Sequence, residues 1–230
     1  MAQIIGFVNQ KGGVGKTTST INVARYLAEF GKRVLLVDLD PQGNASSGLG
    51  IQKDGIEKNL YHAMIMGVPP QEIIYATDTE NLHIIPAAQD LAGAEIEMIH
   101  LDGREFRLHN VLRVLRPHYD YILIDSPPSL GLLTINGLVA SDGVIIPVQT
   151  EYYALEGLSQ LLGTIELVRE RLQPNLQIFG ALLTLYDRRN RLARQVVNEV
   201  RAHFPGPVFE NVIPRSVRLA EAPSFGKSIL

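Results

Sequence analysis

The chain of 230 residues contains no cysteine. Disulfide bonds, thiolate metal sites, thiol nucleophiles and cysteine-ligated iron–sulfur clusters are therefore all excluded. No apolar run approaches the roughly 20 residues of a membrane span. The first three residues carry no basic region and no cleavage-type site. These absences predict a soluble, cytoplasmic protein that does not enter a membrane.

Acidic and basic residues are distributed unevenly along the chain, although the formal net charge is only −3. Residues 1–168 hold 11 Lys and Arg against 19 Asp and Glu, a net charge of −8. Residues 169–230 hold 10 Lys and Arg against 5 Asp and Glu, a net charge of +5. Because a polyanion responds to the local field, the basic end is suited to nucleic acid. Charge alone does not distinguish this interpretation from solvated arginines on helix faces.

Short runs rich in β-branched residues alternate with helix-length segments along most of the chain. The runs predict strands at residues 4–9, 33–38, 82–86, 121–125, 143–148, 176–185 and 208–213. The segments between them predict helices at residues 16–30, 104–116, 132–139, 155–172 and 191–204. This alternation predicts one α/β domain over residues 1–230, a doubly wound, mostly parallel sheet with helices on both faces. Residues 43–81 are the least regular and predict small helices over the edge of the sheet.

A glycine-rich turn, KGGVGKTT, lies between the first predicted strand and the first predicted helix. Glycines let backbone N–H groups turn towards an anion, and the helix N-terminus adds partial positive charge. Lys16 can reach the outer phosphates of a nucleotide, and the Thr17 hydroxyl can ligate Mg²⁺. Gln10 replaces the first glycine of the usual pattern, and a second lysine opens the loop. The sequence predicts a P-loop nucleotide site made of Lys11, Gly12, Gly13, Val14, Gly15, Lys16, Thr17 and Thr18.

Carboxylates follow two of the predicted strands. Asp38 and Asp40 end the run RVLLVDLD, and Asp125 ends the run YILID. Ligands of open α/β sheets sit beyond the carboxyl ends of the strands, which is where these acids fall. Side chains alternate along a strand, so Asp38 and Asp40 share one face if the extended backbone continues. The competing interpretation is that each acid only caps a turn or a helix.

The two lysines of the loop make the sequence resemble the deviant Walker A ATPases. This group includes the partitioning ATPases, the division-site selector MinD and nitrogenase iron protein. The resemblance implies that ATP is bound in a sandwich dimer, in which the first lysine touches the partner's phosphates. It implies that the catalytic groups are Lys11, Lys16 and Asp40, the last orienting the attacking water. It implies that Mg²⁺ is held at Thr17 and Asp125, the Walker B acid, with Asp38 near the metal shell.

Five stretches resemble the ParA/Soj chromosome- and plasmid-partitioning ATPases specifically: VNQKGGVGKTT, LLVDLDPQGNASSGLG, DYILIDSPPSLGLLTINGL, VIIPVQTEYYALEGL and VIPRSVRLAEAPSFGKSI. For that family the implied function is DNA segregation by a slow ATPase. ATP-bound homodimers coat DNA without sequence preference. A ParB/Spo0J-like centromere-binding partner stimulates hydrolysis and releases them. The resemblance thus implies a cytoplasmic, nucleoid-associated protein.

The resemblance also assigns contacts to the basic end of the chain. It implies DNA contacts at Arg189 and Arg218, with Arg215 as a third. The alternatives are solvated surface for Arg189 and pairing with Glu221 for Arg218. Two further residues fall where relatives cup the adenine, namely Pro214 and Ser216. For the neighbouring pair Tyr152 and Tyr153, we expect packing in the core or an interface rather than base stacking.

Two other functions remain as alternatives. A MinD-like membrane-surface positioning ATPase would anchor through a basic amphipathic C-terminal helix, and no such segment precedes Leu230. A biosynthetic enzyme could use the same loop with its own substrate pocket. The sequence stops just after FGKSI, where ParA/Soj relatives continue, so either the sequence is a shortened one or the family's final helix is absent.

Overall fold

Seven strands form one sheet in the computed structural model, within the residues it describes, which are 1–151, 154–222, 226–227 and 229. The expected packing of Tyr152 and Tyr153 lies outside these residues. The strands are β1 (Gln3–Phe7), β2 (Val34–Asp38), β3 (Tyr75–Ala76), β4 (Leu82–Ile85), β5 (Tyr121–Asp125), β6 (Gly143–Gln149) and β7 (Gln177–Thr184). Their order is β3-β4-β2-β5-β1-β6-β7, and neighbouring strands are parallel except β3 and β4.

Helices connect the strands and cover the sheet. They are α1 (Lys16–Glu29), α2 (Asn44–Gly48), α3 (Leu60–Met64), α4 (Leu91–Met98), α5 (Arg107–Leu115), α6 (Leu132–Ala140), α7 (Ala154–Arg171), α8 (Arg191–His203) and α9 (Val217–Glu221). Short 3₁₀ turns lie at Lys53–Gly55, Pro70–Ile73, Arg104–Phe106 and Arg116–His118.

Strand β2 shows how the sheet is covered on both faces. All five of its residues are buried, as expected for an inner parallel strand. Leu35 and Val37 pack in an apolar cluster with α3, α4 and α5. Val34 and Leu36 point the opposite way and pack in a cluster with α1 and α2. Helices therefore lie on both faces, and the predicted doubly wound α/β fold is confirmed.

The prediction of a strand at residues 208–213 is wrong. The segment runs beside β7 but bonds to it at uneven intervals. Phe209 N–H donates to Ala181 O (3.0 Å), and Ile213 N–H donates to Leu183 O (2.8 Å). Four residues of the segment therefore span two residues of β7, so two residues bulge outward and interrupt the ladder.

Three elements were not predicted, namely β3, α4 and the five-residue helix α9, and one begins later than predicted. The edge strand β3 has only two residues, too few for a periodic pattern. Helix α4 contains Gly93, a poor helix former that obscures its pattern. The helix predicted at residues 104–116 starts as the 3₁₀ turn Arg104–Phe106 before α5 begins. The small helices predicted within residues 43–81 are present as α2 and α3.

The side chain of Asn136 fixes α6 against the start of α5. It is completely buried. Its amide nitrogen donates to Arg104 O (2.9 Å) and Leu132 O (2.9 Å), and its oxygen accepts from Leu108 N–H (3.1 Å). Leu108 lies in the first turn of α5, where backbone N–H groups have no partner within the helix. One asparagine therefore satisfies buried polar groups of two elements.

We predict that Asn136→Ala lowers the free energy of unfolding by about 1–3 kcal/mol, because the buried Leu108 N–H loses its acceptor and the Arg104 carbonyl loses its donor. Asn198→Ala is the matched control, since Asn198 is exposed on α8 and the change in helix propensity is the same. Urea unfolding measures both variants. Equal stability of the two variants would contradict the structural role of Asn136.

Candidate functional site

A cavity of about 610 Å³ opens at the carboxyl ends of β1, β2, β5 and β7. This is where open α/β sheets bind ligands. The turn after β1 forms its floor, and residues following the other three strands form its walls. The lining residues are Gly12, Gly13, Gly15, Lys16, Thr17, Thr18, Ser19, Asp40, Asn44, Ser47, Gly48, Pro128, Thr184, Leu185, Ile213, Pro214, Ser216, Leu219 and Ala220.

The turn after β1 leaves the start of α1 open to an anion. Gly13 and Gly15 have φ angles of 72° and 86°, in the left-handed region that favours glycine. Gly15 is the N-cap residue of α1, and no side chain caps this helix. Its first turn also contains no acidic residue. The free N–H groups of that turn therefore form a site for phosphate.

Two side chains, Asn9 just before the turn and the distant Thr184, hold this turn in place. Asn9 Nδ2 donates to Pro147 O (2.7 Å), and Asn9 Oδ1 accepts from Lys11 N–H (3.0 Å). On the other side, Thr184 Oγ1 donates to Val14 O (2.7 Å). The turn is thus fastened to β6 and β7. We did not predict either residue; Asn9, a short amide just before the turn, could have been suspected, whereas Thr184 gives no signal in the sequence.

Lys16 is held at the floor of the cavity and is only 7% exposed. Its Nζ donates to a neutral backbone carbonyl, that of Lys11 (3.1 Å). Burial lowers the pKa of Lys16, while the negative charges of Asp125 and Asp40 raise it. A cation held this way is ready for an anionic ligand. The carbonyl of Lys11 supports Lys16, but the half-buried Lys11 is not among the residues lining the cavity.

Asp125 lies fully buried behind Lys16 and Thr17 with one oxygen unused. Thr20 Oγ1 donates to Oδ1 (3.3 Å), and Oδ2 has no hydrogen-bond partner among the described residues. Burial first, and the charge of Asp38 next, raise the pKa of Asp125 to about 8. The hydroxyl of Thr17 and the charge of Lys16 act in the opposite direction.

The free oxygen of Asp125 and the Thr17 hydroxyl on the cavity wall suit a hard cation such as Mg²⁺, which prefers oxygen ligands. Within the described residues, no group of three or more His, Asp or Glu side chains could hold a metal alone. Mg²⁺ commonly takes only one or two protein ligands and completes its shell with water and phosphate oxygens. The residues present therefore fit Mg²⁺ bound together with a nucleotide.

The two aspartates after β2 have different surroundings. Asp40 lines the cavity and is 7% exposed, and its Oδ1 accepts from Gln42 N–H (3.0 Å). Asp38 is fully buried and is not among the lining residues. Burial raises the pKa of Asp38 to about 6, against hydrogen bonds from Ser46 and Asp40. Strand β2 ends at Asp38, although Leu39 N–H still donates to Asp125 O (2.9 Å), and the shared face of Asp38 and Asp40 stays a prediction.

A basic rim borders the cavity; we define it as Arg189, Arg215 and Arg218. Two neighbouring segments carry it, because Arg215 N–H donates to Tyr186 O (3.0 Å). Arg189 is 86% exposed and pairs with Asp187 (2.9 Å), which lowers the pKa of Asp187 to about 2. Arg215 pairs with Glu151 (3.1 Å). Within the described residues, the exposed Arg218 forms no ion pair with Glu221.

Most of the residues predicted to bind phosphate line one cavity, whereas Lys11 and Val14 are not among its lining residues. Pro214 and Ser216 lie on its wall, and Val14 is buried behind it. The rim arginines are not lining residues. Sequence reasoning missed several lining residues that reach the cavity from α2, from the segments after β5 and β7, and from α9: Asn44, Ser47, Gly48, Pro128, Thr184, Leu185, Leu219 and Ala220.

Known proteins are similar in sequence to this chain over most or all of its length. The AAA_31 family model, described as AAA domain, matches residues 2–178. Chromosome partitioning protein ParA of Myxococcus xanthus is 56% identical over 100% of this chain and 81% of its own. Sporulation initiation inhibitor protein Soj of Bacillus subtilis is 56% identical over 100% of this chain and 91% of its own. The chain belongs to the ParA/Soj family.

A solved structure from Mycobacterium smegmatis has the same fold, with a TM-score of 0.90 at 38% identity over 98% of this chain and 93% of that one. It is described as cobyrinic acid a,c-diamide synthase with bound ATP analog and magnesium. Among the described residues of the present chain, no helix is both long and apolar enough to cross a membrane.

Asp125→Asn should remove a pH dependence from the nucleotide-free protein. The folded pKa of Asp125, about 8, exceeds its ordinary value of 3.8, so the folded state binds the extra proton between these two values. Wild-type stability should therefore fall as pH rises towards 8, by at most about 1.4 kcal/mol per pH unit. Asparagine cannot titrate, so the stability advantage of the variant should grow from pH 6 to pH 8.

Urea unfolding at several pH values measures this difference. Asp54→Asn is the control, since Asp54 is exposed in a 3₁₀ turn and is not among the residues that line the cavity. A constant gap between Asp125→Asn and wild type across this range would show that Asp125 is ionised in the empty site.

Proposed function

We propose that this chain is a DNA-partitioning ATPase: one nucleotide-binding domain that binds Mg-ATP, dimerises around it and binds DNA until hydrolysis. The observation that carries the proposal is the floor of the cavity. There the uncapped start of α1, the buried cation of Lys16 and the unpartnered oxygen of Asp125 converge. The names of the relatives, and the ATP analog and magnesium of the M. smegmatis structure, support the same assignment.

The floor of the cavity suits the phosphates of ATP. The N–H groups of residues 12–18 would bind the phosphate oxygens, and Lys16 would bind the outer two phosphates. Thr17 and Asp125 would hold Mg²⁺, with Asp125 acting directly or through water. When bound, Mg²⁺ offsets the negative charge that gathers on the phosphates. Pro214 and Ser216, on the opposite wall, would face the adenine.

Asp40 is proposed to orient the attacking water. It is the carboxylate that lines the cavity, and the turn to Gln42 fixes its carboxylate. A water held by Asp40 can be aligned with the terminal phosphate, while Lys16 stabilises the charge that develops on the phosphoryl oxygens. The water oxygen bonds to the terminal phosphorus as the bond from that phosphorus to the bridging oxygen breaks, the proton that the water loses passes to a phosphate oxygen, and the products are ADP and phosphate.

Lys11 is proposed to act on the partner of a homodimer. It opens the loop, is half-buried and does not line its own cavity. In a sandwich dimer it would bring a further positive charge to the partner's transferring phosphoryl group. Dimerisation would then require ATP, because bound phosphates attract the two lysines.

The basic rim is proposed to bind DNA phosphates without sequence preference. Its guanidinium groups are solvent-exposed, and surface ion pairs such as Arg189–Asp187 are weak enough to exchange for a phosphate. In a two-fold dimer each arginine occurs twice, so a weak site becomes bivalent. A ParB-like partner that stimulates hydrolysis would then release the protein. These properties correspond to a cytoplasmic protein of the nucleoid.

The two alternative functions have less support. A MinD-like switch would bind anionic vesicles, and a biosynthetic enzyme would need a second substrate. The structure described as a diamide synthase is 38% identical to this chain, whereas the two partitioning relatives are each 56% identical. Co-sedimentation with DNA and with anionic liposomes separates partitioning from membrane positioning.

Asp40→Ala should bind ATP and dimerise but hydrolyse ATP roughly 100-fold more slowly, because the water loses its orienting group while the phosphate contacts remain. Light scattering with ATP should show a persistent dimer. Lys16→Ala is the comparison variant, since it should lose Mg-ATP binding and stay monomeric. A monomeric Asp40→Ala protein in saturating ATP would contradict the sandwich dimer.

Arg189→Glu and Arg218→Glu should each weaken binding to any DNA sequence and leave ATP binding intact. Because affinity for DNA phosphates falls with salt, removing one arginine–phosphate interaction should lower the slope of log affinity against log salt by about 0.9. DNA binding with ATP across a salt series measures both quantities. Arg113→Glu, on the exposed face of α5, is the control for charge alone. Equal affinities and slopes in wild type and all variants would show that the rim does not bind DNA.

A further inference from the structure

The carboxylate of Asp38 is fully engaged by its own protein. Its Oδ1 accepts from Asp40 N–H (3.2 Å). Its Oδ2 accepts from both the N–H (2.8 Å) and the hydroxyl (2.7 Å) of Ser46. Asp38 is completely buried and is absent from the cavity lining. Three protein donors therefore surround a carboxylate that has no direct access to the ligand space.

Ser46 joins three parts of the fold through one hydroxyl. It lies in α2, is completely buried, and donates to Asp38 at the end of β2. The same oxygen accepts from the N–H of Ala87, which follows β4 (3.2 Å). The neighbours of Ser46 in α2 line the cavity: Asn44, Ser47 and Gly48. Ser46 and Asp38 thus set the position of one cavity wall.

Asp40 depends on the same pair of residues. Its backbone N–H is fixed by Asp38, and its carboxylate is fixed by Gln42 N–H (3.0 Å) two residues on. Bonding to the sheet continues only to Leu39, whose N–H donates to Asp125 O (2.9 Å), and the carbonyl of Asp40 accepts from Gly43 N–H (2.8 Å) outside the sheet. The bond to Asp38 replaces the missing sheet contact. The direction of the Asp40 carboxylate therefore depends on where Asp38 is held.

We propose that Ser46 and Asp38 are positioning residues that hold Asp40 in place to orient the attacking water, and that Asp38 is not a direct Mg²⁺ ligand. This inference rests on the proposed role of Asp40. Loss of the Ser46 hydroxyl takes one donor from Asp38 and leaves the buried Ala87 N–H without an acceptor. Because a displacement of about 1 Å at a reacting group can cost roughly 100-fold in rate, a partial displacement should cost roughly tenfold.

The test compares Ser46→Ala with Ser141→Ala. Ser141 is also completely buried and donates a hydrogen bond, to Gly137 O (2.7 Å), but it is not among the lining residues. Both variants lack one buried hydroxyl and its donated hydrogen bond. Under single-turnover conditions with Mg-ATP, Ser46→Ala should hydrolyse roughly tenfold more slowly, with ATP affinity within about twofold of wild type. Ser141→Ala should hydrolyse at the wild-type rate.

A double-mutant cycle separates positioning from general support of the fold. In an Asp40→Ala background, Ser46→Ala should cause no further loss of rate, because no carboxylate remains to be positioned. Ser46→Thr keeps the hydroxyl and should recover most of the rate. If Ser46→Ala does not fold, Ser46→Cys fills the same space with a weaker donor and is measured in its place.

Three results decide between the inference and the function on which it rests. A wild-type rate in Ser46→Ala, or an equal loss of rate with and without Asp40, would overturn the positioning role. A wild-type rate in Asp40→Ala alone would instead overturn the proposed role of Asp40. Slow hydrolysis in Asp40→Ala, with no further loss of rate when Ser46→Ala is added, would establish both the role of Asp40 and the positioning role.

Discussion

Charge buried at one edge of the sheet is the constraint on which the whole site depends. Lys16 and three carboxylates are each no more than 7% exposed: Asp38, Asp40 and Asp125. Removing such groups from water costs several kcal/mol each unless they are paired or hydrogen-bonded. One lysine cannot neutralise three carboxylates. The fold must therefore compensate this charge with local hydrogen-bond donors, or a bound ligand must neutralise it.

The three carboxylates are compensated in different ways, and the differences define their roles. Asp38 is satisfied by backbone and serine donors, so it can stay buried without a ligand. Asp40 is partly satisfied and faces the cavity. Asp125 keeps an unpartnered oxygen, and burial raises its pKa to about 8, which favours the protonated carboxyl near neutral pH when no cation is bound. A divalent cation would displace that proton, which couples metal binding to pH.

The sequence predicts the central elements of the site because local patterns determine them. The strand, turn and helix around Lys16 follow from glycines and apolar periodicity within one short segment. The carboxylates fall where parallel strands end, and parallel strands end on one edge. The prediction fails where position depends on distant partners. Thr184 reaches the turn from 170 residues away, and α2 brings Ser47 to the cavity from an irregular segment.

The wrong prediction of a strand at residues 208–213 has the same cause, because the position of this segment also depends on distant partners. Its β-branched residues suit a ladder, but the spacing of its bonds to β7 is set by where the chain must return to the cavity. That return brings Pro214 and Ser216 to the wall while Arg215 and Arg218 stay outside. A regular strand would have carried this segment past the cavity. The returning segment therefore connects the cavity wall to the basic rim.

In the proposed function, this junction would connect the nucleotide to the DNA-binding rim. Leu185, a lining residue, has a φ angle of 54°, a strained value for a residue with a side chain. It begins the loop that carries Asp187 and Arg189, and the next residue, Tyr186, is bonded to the returning segment. A base that presses on Leu185 and Pro214 would therefore act on both rim segments together. Because strained backbone persists only where its surroundings hold it, the contacts around Leu185 are what keep this loop in place.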